Sequence, residues 1–476
     1  MTAENGAMAD SVEGDAAVAN LECSVPRLGV YFIFTVDIAA IVKAGDPWPA
    51  LMKIRTDHES RLAAASGLVG AGGNSRTYSS DMRSWMEEAI RKKGKAIWND
   101  SFLMEDAPYV LEPAPFWLNG RQVASGSVLS TEGDKSLSCC LLRSTTFHLY
   151  RELVPVYTVE YLIEQPDRES RGMSVDSIIT TLNRLESISW LDAKRQMETW
   201  LSVDRISEIS KVLGDDVIVD VAGLTGDEFK RKARVHKLLV LGDLYRAGGG
   251  GVELTTPSRV AAAAVLDRPE IAGMLNTADW YELYRPEYLE NLKKKNIGYR
   301  SDEVFLTDRK ASLIANENFW NTNNSLNEYR LDILLSIEFY MSRLVQCHSL
   351  LQYLQKNEVI RDVTNIDPAV ALDGVVAAGK SAASLSESLD PARLVDHGFT
   401  RLFMLRLRSE LGIENILDFI GERIDDATKS VQLRSAVTAE SHTASRALKI
   451  AQASMWLSGA VLALTVVFGL FGVLGS

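Results

Sequence analysis

The chain reads as an α+β (or α/β) N-terminal cytoplasmic domain, a helical middle region, and a long C-terminal stalk helix continuing into one transmembrane helix. Three observations predict this. β-Rich runs occur early, at Leu28–Val36 (LGVYFIFTV) and again between Ser136 and Glu164. From Ser325 onward apolar residues recur at helical spacing, and no proline lies between Ala392 and Ser476. The last 27 residues, Ile450–Ser476, carry no charged side chain. At ~1.5 Å per residue about 20 such residues cover a ~30 Å hydrocarbon layer, so residues 451–476 are expected to form a membrane span.

In chain order, residues 1–22 are acidic and rich in small residues, with no basic n-region and no apolar h-region. That composition predicts a disordered tail rather than a signal peptide. Residues 23–166 are expected to form an α/β domain: a strand over Leu28–Val36, helices at Leu51–Ala65 and Ser80–Ala96, then strands in SLSCCLLRSTTFHLY and VPVYTVEYLIE divided near Pro155. Residues 167–322 read as mainly helical. Two helices are expected over Ser174–Leu213, a short strand at Val217–Val221, a basic helix from Asp227 to about Leu244, and a break at Gly248–Gly251.

Residues 323–450 are expected to form a helical hairpin and stalk. Ser325 and Glu328 stand at capping-box spacing before a periodic run. Ile333, Ile337, Tyr340, Leu344, Cys347, Leu351 and Leu354 then follow at intervals alternating 4 and 3, which gives one stripe at the heptad period. Asp367–Ser388 reads as a short helix and turn, with Pro391 opening the next helix. The stripe reappears in Ile413, Leu417, Ile420, Ile424, Ala427 and Val431, and one helix is expected from Ile413 to the end, a rod of roughly 95 Å. Its seam turns small and polar at Thr438, Ser441 and Ser445.

Composition bounds the function. The formal charge of -12, from 51 basic and 63 acidic residues, argues against nucleic acid as a partner, since binding a polyanion relies on many phosphate-neutralising cations. Arg446 and Lys449 precede the expected span and no charge follows it, which places the N-terminal side in the cytoplasm and the protein as a single-pass protein of the inner or plasma membrane. The lipid bilayer is then an expected partner. Cys23, Cys139, Cys140 and Cys347 show no CxxC spacing. An adjacent pair does not easily bridge to itself, so these read as reduced, packing thiols.

Several motifs bear on chemistry. Gly374, Gly379, Lys380 and Ser381 fit GxxxxGK[ST], in which backbone N–H groups cradle phosphates, the lysine reaches the terminal phosphates and the hydroxyl binds Mg²⁺. A working loop follows a buried strand, and the surrounding sequence reads as helical. Asp220–Gly223 (DVAG) resembles a GTPase switch but precedes that loop and lacks an NKxD partner. His58, His148, His236, His348, His397 and His442 are scattered without metal-ligand spacing, and no GxSxG elbow occurs. Lys293–Lys295 with Tyr299 and Arg300 offer cations either to anionic headgroups or simply to water. No catalytic residue, cofactor or metal is implied.

An N-terminal α/β domain, paired helices and one very long helix ending in Phe471-Gly472-Val473-Leu474 resembles the CorA class of divalent-cation channels over Ser325–Ser476. That class is pentameric and carries a Tyr-Gly-Met-Asn signature at the outer end of its pore helix. Here the aromatic and glycine match in kind, while the methionine, the asparagine and the second transmembrane helix do not. The resemblance implies an oligomeric membrane effector or channel-like protein, with cation transport as one form. The expected span residues are Met455, Trp456, Phe468, Gly469, Phe471 and Gly472, and the expected homo-oligomer seam is Ile413, Leu417, Ile420, Ile424 and Val431. The alternatives are a tail-anchored scaffold or regulator, and an anchored enzyme with its site in the N-terminal domain.

Overall fold

The computed structural model describes residues 23–25, 27–57, 76–77, 109–111, 113–129, 137–150, 152–164, 173–201, 209–241, 245–246, 294–298, 304–315, 325–356, 368–389 and 398–474. The expected tail 1–22, the helix at Ser80–Ala96, the glycine run 248–251, and Lys293, Tyr299, Arg300 and Pro391 lie outside them. The strands are β1 (Cys23–Val25), β2 (Arg27–Val36), β3 (Val42–Ala44), β4 (Arg76–Thr77), β5 (Tyr109–Leu111), β6 (Phe116–Leu118), β7 (Arg121–Val123), β8 (Cys140–Tyr150), β9 (Val154–Glu164), β10 (Met173–Ser174), β11 (Ile218–Val219), β12 (Ala233–Leu241), β13 (Tyr245–Arg246), β14 (Val304–Thr307) and β15 (Ala311–Ala315). The named helices are α1 (Ile38–Ile41), α2 (Trp48–Thr56), α3 (Val175–Trp200), α4 (Gly226–Lys232), α5 (Ser325–Lys356), α6 (Pro368–Ser388), α7 (Gly398–Glu410) and α8 (Ile413–Leu474).

Among the described residues the main sheet has the order β14-β15-β12-β2-β9-β8-β5-β4. All its pairs are antiparallel except β12 with β15. It therefore draws strands from both 23–166 and 167–322. Alternation along the central strands divides its faces. Phe32, Phe34, Tyr157, Val159 and Tyr161 join Ile178, Leu182, Leu185 and Met197 of α3 in one apolar core. Tyr31, Ile33, Thr35, Val156 and Thr158, equally buried, stand at the intervening positions and so on the opposite face.

The β8–β9 pairing carries a bulge between Leu142 and Ser144. Before it Cys140 and Leu142 belong to the α3-side core; after it Phe147 and Leu149 do. A single extra residue reverses which side chains face which way, and that reversal turns His148 away from α3. The connection to β9 is tight: Leu153 takes φ 58° and its N–H donates to the Tyr150 carbonyl at 2.8 Å. The strands divide just before Pro155, as expected, and β9 matches the expected VPVYTVEYLIE; the Pro155 carbonyl accepts from the Thr35 hydroxyl at 2.8 Å.

Two expectations change. The basic helix from Asp227 ends at Lys232, and Ala233–Leu241 continues as β12 between β2 and β15. Burial of Leu238, Leu239, Val240 and Leu241 in the sheet outweighs the helix signal of the preceding lysines and arginines. Strands β14 and β15 also occupy a stretch expected to be helical.

The chain divides into two compact units, one of 1–349 with 381–417 and one of 350–380 with 418–476. The second contains a small cluster in which Val375 packs with Ala427, Val431 and Ile424. Helix α8 begins at the expected Ile413 and runs to Leu474. Among the described residues, however, no helix is long and apolar enough to cross a membrane. This overturns the transmembrane helix expected at 451–476, and with it the single-pass inner- or plasma-membrane placement with a cytoplasmic N-terminus. As far as Met455, where the described side chains of α8 end, the helix carries Glu422, Asp425, Asp426, Lys429, Arg434 and Glu440, so this part of it offers no apolar stretch of spanning length. Such charges are expensive in hydrocarbon.

Candidate functional site

A buried set of interacting polar side chains lies against the face of the sheet opposite α3, where α5 contributes Glu338, Arg343, Gln346 and Ser349. Glu338 is fully buried, at 0 % exposure. One of its carboxylate oxygens accepts from the Thr158 hydroxyl of β9 at 2.7 Å, and the other pairs with His148 Nδ1 of β8 at 2.6 Å. Five residues along the helix, Arg343 meets Glu152 of the β8–β9 turn at 2.9 Å, both side chains being almost wholly buried. The same guanidinium donates to Gln346 at 3.0 Å and lies 4.8 Å over the Phe339 ring. Lower on α5, Ser349 accepts from Arg55 of α2, and Arg55 also faces Asp37 at 3.5 Å. Asp37 in turn caps α1 by accepting from the Ala39 N–H at 3.0 Å.

These residues make a clamp between the sheet and α5. Two ionised groups withdrawn from water are tolerable only when well paired, and removal of one partner is strongly destabilising. A His–Glu pair can orient a general base, yet His148, Glu338 and Thr158 are all nearly closed off from solvent. The arrangement is suited to positioning a helix rather than to meeting a substrate.

The α3 side has its own network. Asp192 accepts from the Tyr157 hydroxyl and pairs with Arg195, whose guanidinium also donates to the Pro115 carbonyl at 2.8 Å. Gln196 bonds both the N–H and the carbonyl of Ala114, each at 2.7 Å. Burial raises the Asp192 carboxyl, against the opposing effect of the Tyr157 bond and Arg195, and burial also drives the Tyr157 hydroxyl well above its ordinary value. On the face away from α3, near β15, fully buried His236 bonds Ser312 at 2.9 Å, and Ser312 meets Thr307 at 2.8 Å. Desolvation pushes His236 down to about 4, only partly offset by Asp308 and the Arg309 backbone. His348 is likewise down to about 4, through burial and then the cations Arg234 and Arg309.

The sequence-predicted sites fall elsewhere. Gly374, Gly379, Lys380 and Ser381 lie within helix α6, with Lys380 exposed and Ser381 buried. Amides in a helix interior are engaged along the helix and do not form a phosphate cradle. Asp220 closes a local turn, accepting from the Gly223 N–H at 2.7 Å and pairing with Lys43. A Cβ at Gly223 would meet the ends of the Lys43 and Asp220 side chains, so DVAG here forms a local turn. Lys43 and then the Gly223 N–H hold the Asp220 carboxyl below its usual range. Of the predicted seam, Ile413, Ile420 and Val431 are buried, while Leu417 and Ile424 are half-buried. Met455 is exposed; Trp456, Phe468, Gly469, Phe471 and Gly472 lie on α8 with side chains outside those described.

Among the described residues no group of three or more His, Cys, Asp or Glu side chains could hold a metal ion. Sequence reasoning missed Glu338, Arg343, Glu152 and Thr158, and gave His148 no role. The signal available in the sequence was Glu338 and Arg343 standing beside the apolar stripe of α5. No family model, curated protein or solved structure matches the chain. The likeness of Ser325–Ser476 to the CorA class therefore stands on sequence alone, and the span that its channel activity requires is the feature overturned above.

Proposed function

We propose that this is a self-associating regulatory or scaffold protein, in which a sheet-centred body is joined to other copies of the chain through α8. The observation that carries this reading is a set of large apolar side chains left in solvent on that helix: Leu433 at 70 %, Val437 at 57 %, Leu448 at 62 % and Met455 at 71 % exposure. Leu448 and Met455 continue, at intervals of seven, the position held by Ile413, Ile420 and Ala427. That continuity favours a second copy of the same helix as the occupant, since a heptad stripe is self-complementary in a parallel pair. Arg434 and Ser441 interrupt the position, and polar residues within such a seam select register and oligomeric state.

Sedimentation of the full chain at micromolar concentration tests this. A discrete dimer or higher oligomer is expected, and Leu448→Glu with Met455→Glu should convert it to monomer with an unchanged circular-dichroism spectrum. A wild-type chain that stays monomeric throughout that range overturns the proposal.

A further inference from the structure

Cys139 and Cys140 occupy a place where consecutive side chains come together. In a regular strand adjacent residues point to opposite faces, but β8 begins only at Cys140 and Cys139 belongs to the preceding turn. Their sulfurs consequently lie 4.0 Å apart. Both peptide groups are pinned: the Cys139 carbonyl accepts from the Glu164 N–H at 3.0 Å and the Cys140 carbonyl from the Leu129 N–H at 2.7 Å. Cys140 is wholly buried, whereas Cys139 is partly exposed. One thiol is open to a reagent, and the other sits behind it where only its neighbour can be reached.

The thiols also differ in reactivity. Hydrogen bonding from Cys140 is the largest influence on Cys139 and brings it down to about 7, against an opposing effect of burial. Burial pushes the Cys347 thiol up to about 12. Because the thiolate is the nucleophile, exchange at neutral pH is directed to Cys139.

We propose that Cys139 and Cys140 form a redox-active vicinal dithiol, oxidised to an intrachain disulfide by small disulfides of the glutathione class. The Cys139 thiolate attacks one sulfur of the oxidised reagent, forming a mixed disulfide and expelling one thiolate. Cys140 then attacks Cys139 Sγ, loses its proton to that thiolate, and expels the second. Two protein thiols lose two electrons and two protons, and one disulfide molecule becomes two thiols. Closure brings the sulfurs from 4.0 Å to about 2.05 Å. Adjacent Cα atoms are only ~3.8 Å apart, shorter than the usual disulfide span, so the ring is strained and easily reduced again. The self-association reading plays no part in this inference.

The test is treatment of the full chain with oxidised glutathione, followed by intact-mass measurement and peptide mapping. The expected product is lighter by about 2 Da, the two hydrogens lost in one disulfide, with the change confined to the peptide holding residues 139 and 140 and reversed by dithiothreitol. Cys140→Ser should instead accumulate a stable glutathione adduct at Cys139, and Cys347→Ala should behave as wild type. A persistent adduct on the wild-type chain, a bridge involving Cys23 or Cys347, or no reaction would each overturn the proposal.

Discussion

Helices α5 and α8 carry the same apolar spacing and meet opposite fates. In α5 the stripe of Ile333, Ile337, Tyr340, Leu344 and Cys347 is buried, but so are Ser336, Glu338, Ser342, Arg343 and Gln346 around the rest of the helix. In α8 the stripe is buried at Ile413, Ile420, Ala427 and Val431, while Leu433, Val437, Leu448 and Met455 stand in solvent. A periodic stripe specifies one face and leaves the others undetermined. What the body does with α5 is to supply partners for its polar faces, Thr158, His148 and Glu152. Among the described residues nothing covers the exposed apolar side chains of α8.

The contrast is broken most forcefully at Arg343. Arg343→Met removes the cation that faces the buried Glu152 carboxylate, and a loss of 3–5 kcal/mol of unfolding free energy, roughly, is expected in urea denaturation. Adding Glu152→Leu should return much of that loss, because the stranded charge goes with it. Arg423 on α8 lies 4.9 Å over the Phe419 ring and is exposed, so Arg423→Met should change stability by no more than about 0.5 kcal/mol. Similar losses at the two positions would end the distinction between the helices.

Acid sharpens the comparison, because the body buries neutral histidines. Folding lowers His236 from 6.5 to about 4, so between those values the unfolded chain binds a proton that the native chain does not. Stability is then fully present above about pH 6.5 and declines as pH falls toward 4, at up to ~1.4 kcal/mol per pH unit and about 3 kcal/mol in all for this one group. His348 adds to the loss with the same sign. His236→Gln should flatten the stability profile between pH 6.5 and 5, where the ordinary carboxylates are still ionised. An unchanged slope in that variant would show that His236 is not the group responsible.

Much of this architecture was legible where the signal was long or periodic. The run LGVYFIFTV gave β2, and the 4, 3 spacings gave α5 and the start of α8 at Ile413. Strand β12 was hidden because the Lys230–Arg234 stretch leads into it with helix-favouring residues, and only pairing with β2 and β15 makes Leu238–Leu241 a strand. The clamp was less legible still. Glu338 and His148 are 190 positions apart, and His148 faces α5 only through a bulge near Arg143 that no local pattern announces. The phosphate-loop pattern in α6 shows the converse error: eight residues matched an expression while the surrounding helix withheld the backbone that the chemistry needs.

The smallest expected effect tests α8 itself. Leu433→Ser removes an apolar side chain that is 70 % exposed, and at high dilution it should alter stability by less than about 0.5 kcal/mol. Leu344→Ala on α5 empties a buried site and should cost roughly 2–5 kcal/mol at any concentration. Self-association links stability to concentration, because a partner that binds only the folded helix raises its apparent free energy by mass action. The wild-type melting temperature should therefore rise with protein concentration. Leu448→Glu should remove that rise while leaving the dilute value where it was, since a side chain already in water contributes little to the isolated chain. Concentration-independent melting of the wild type would mean that these side chains stay in water, and α8 would then differ from α5 simply in lacking a partner.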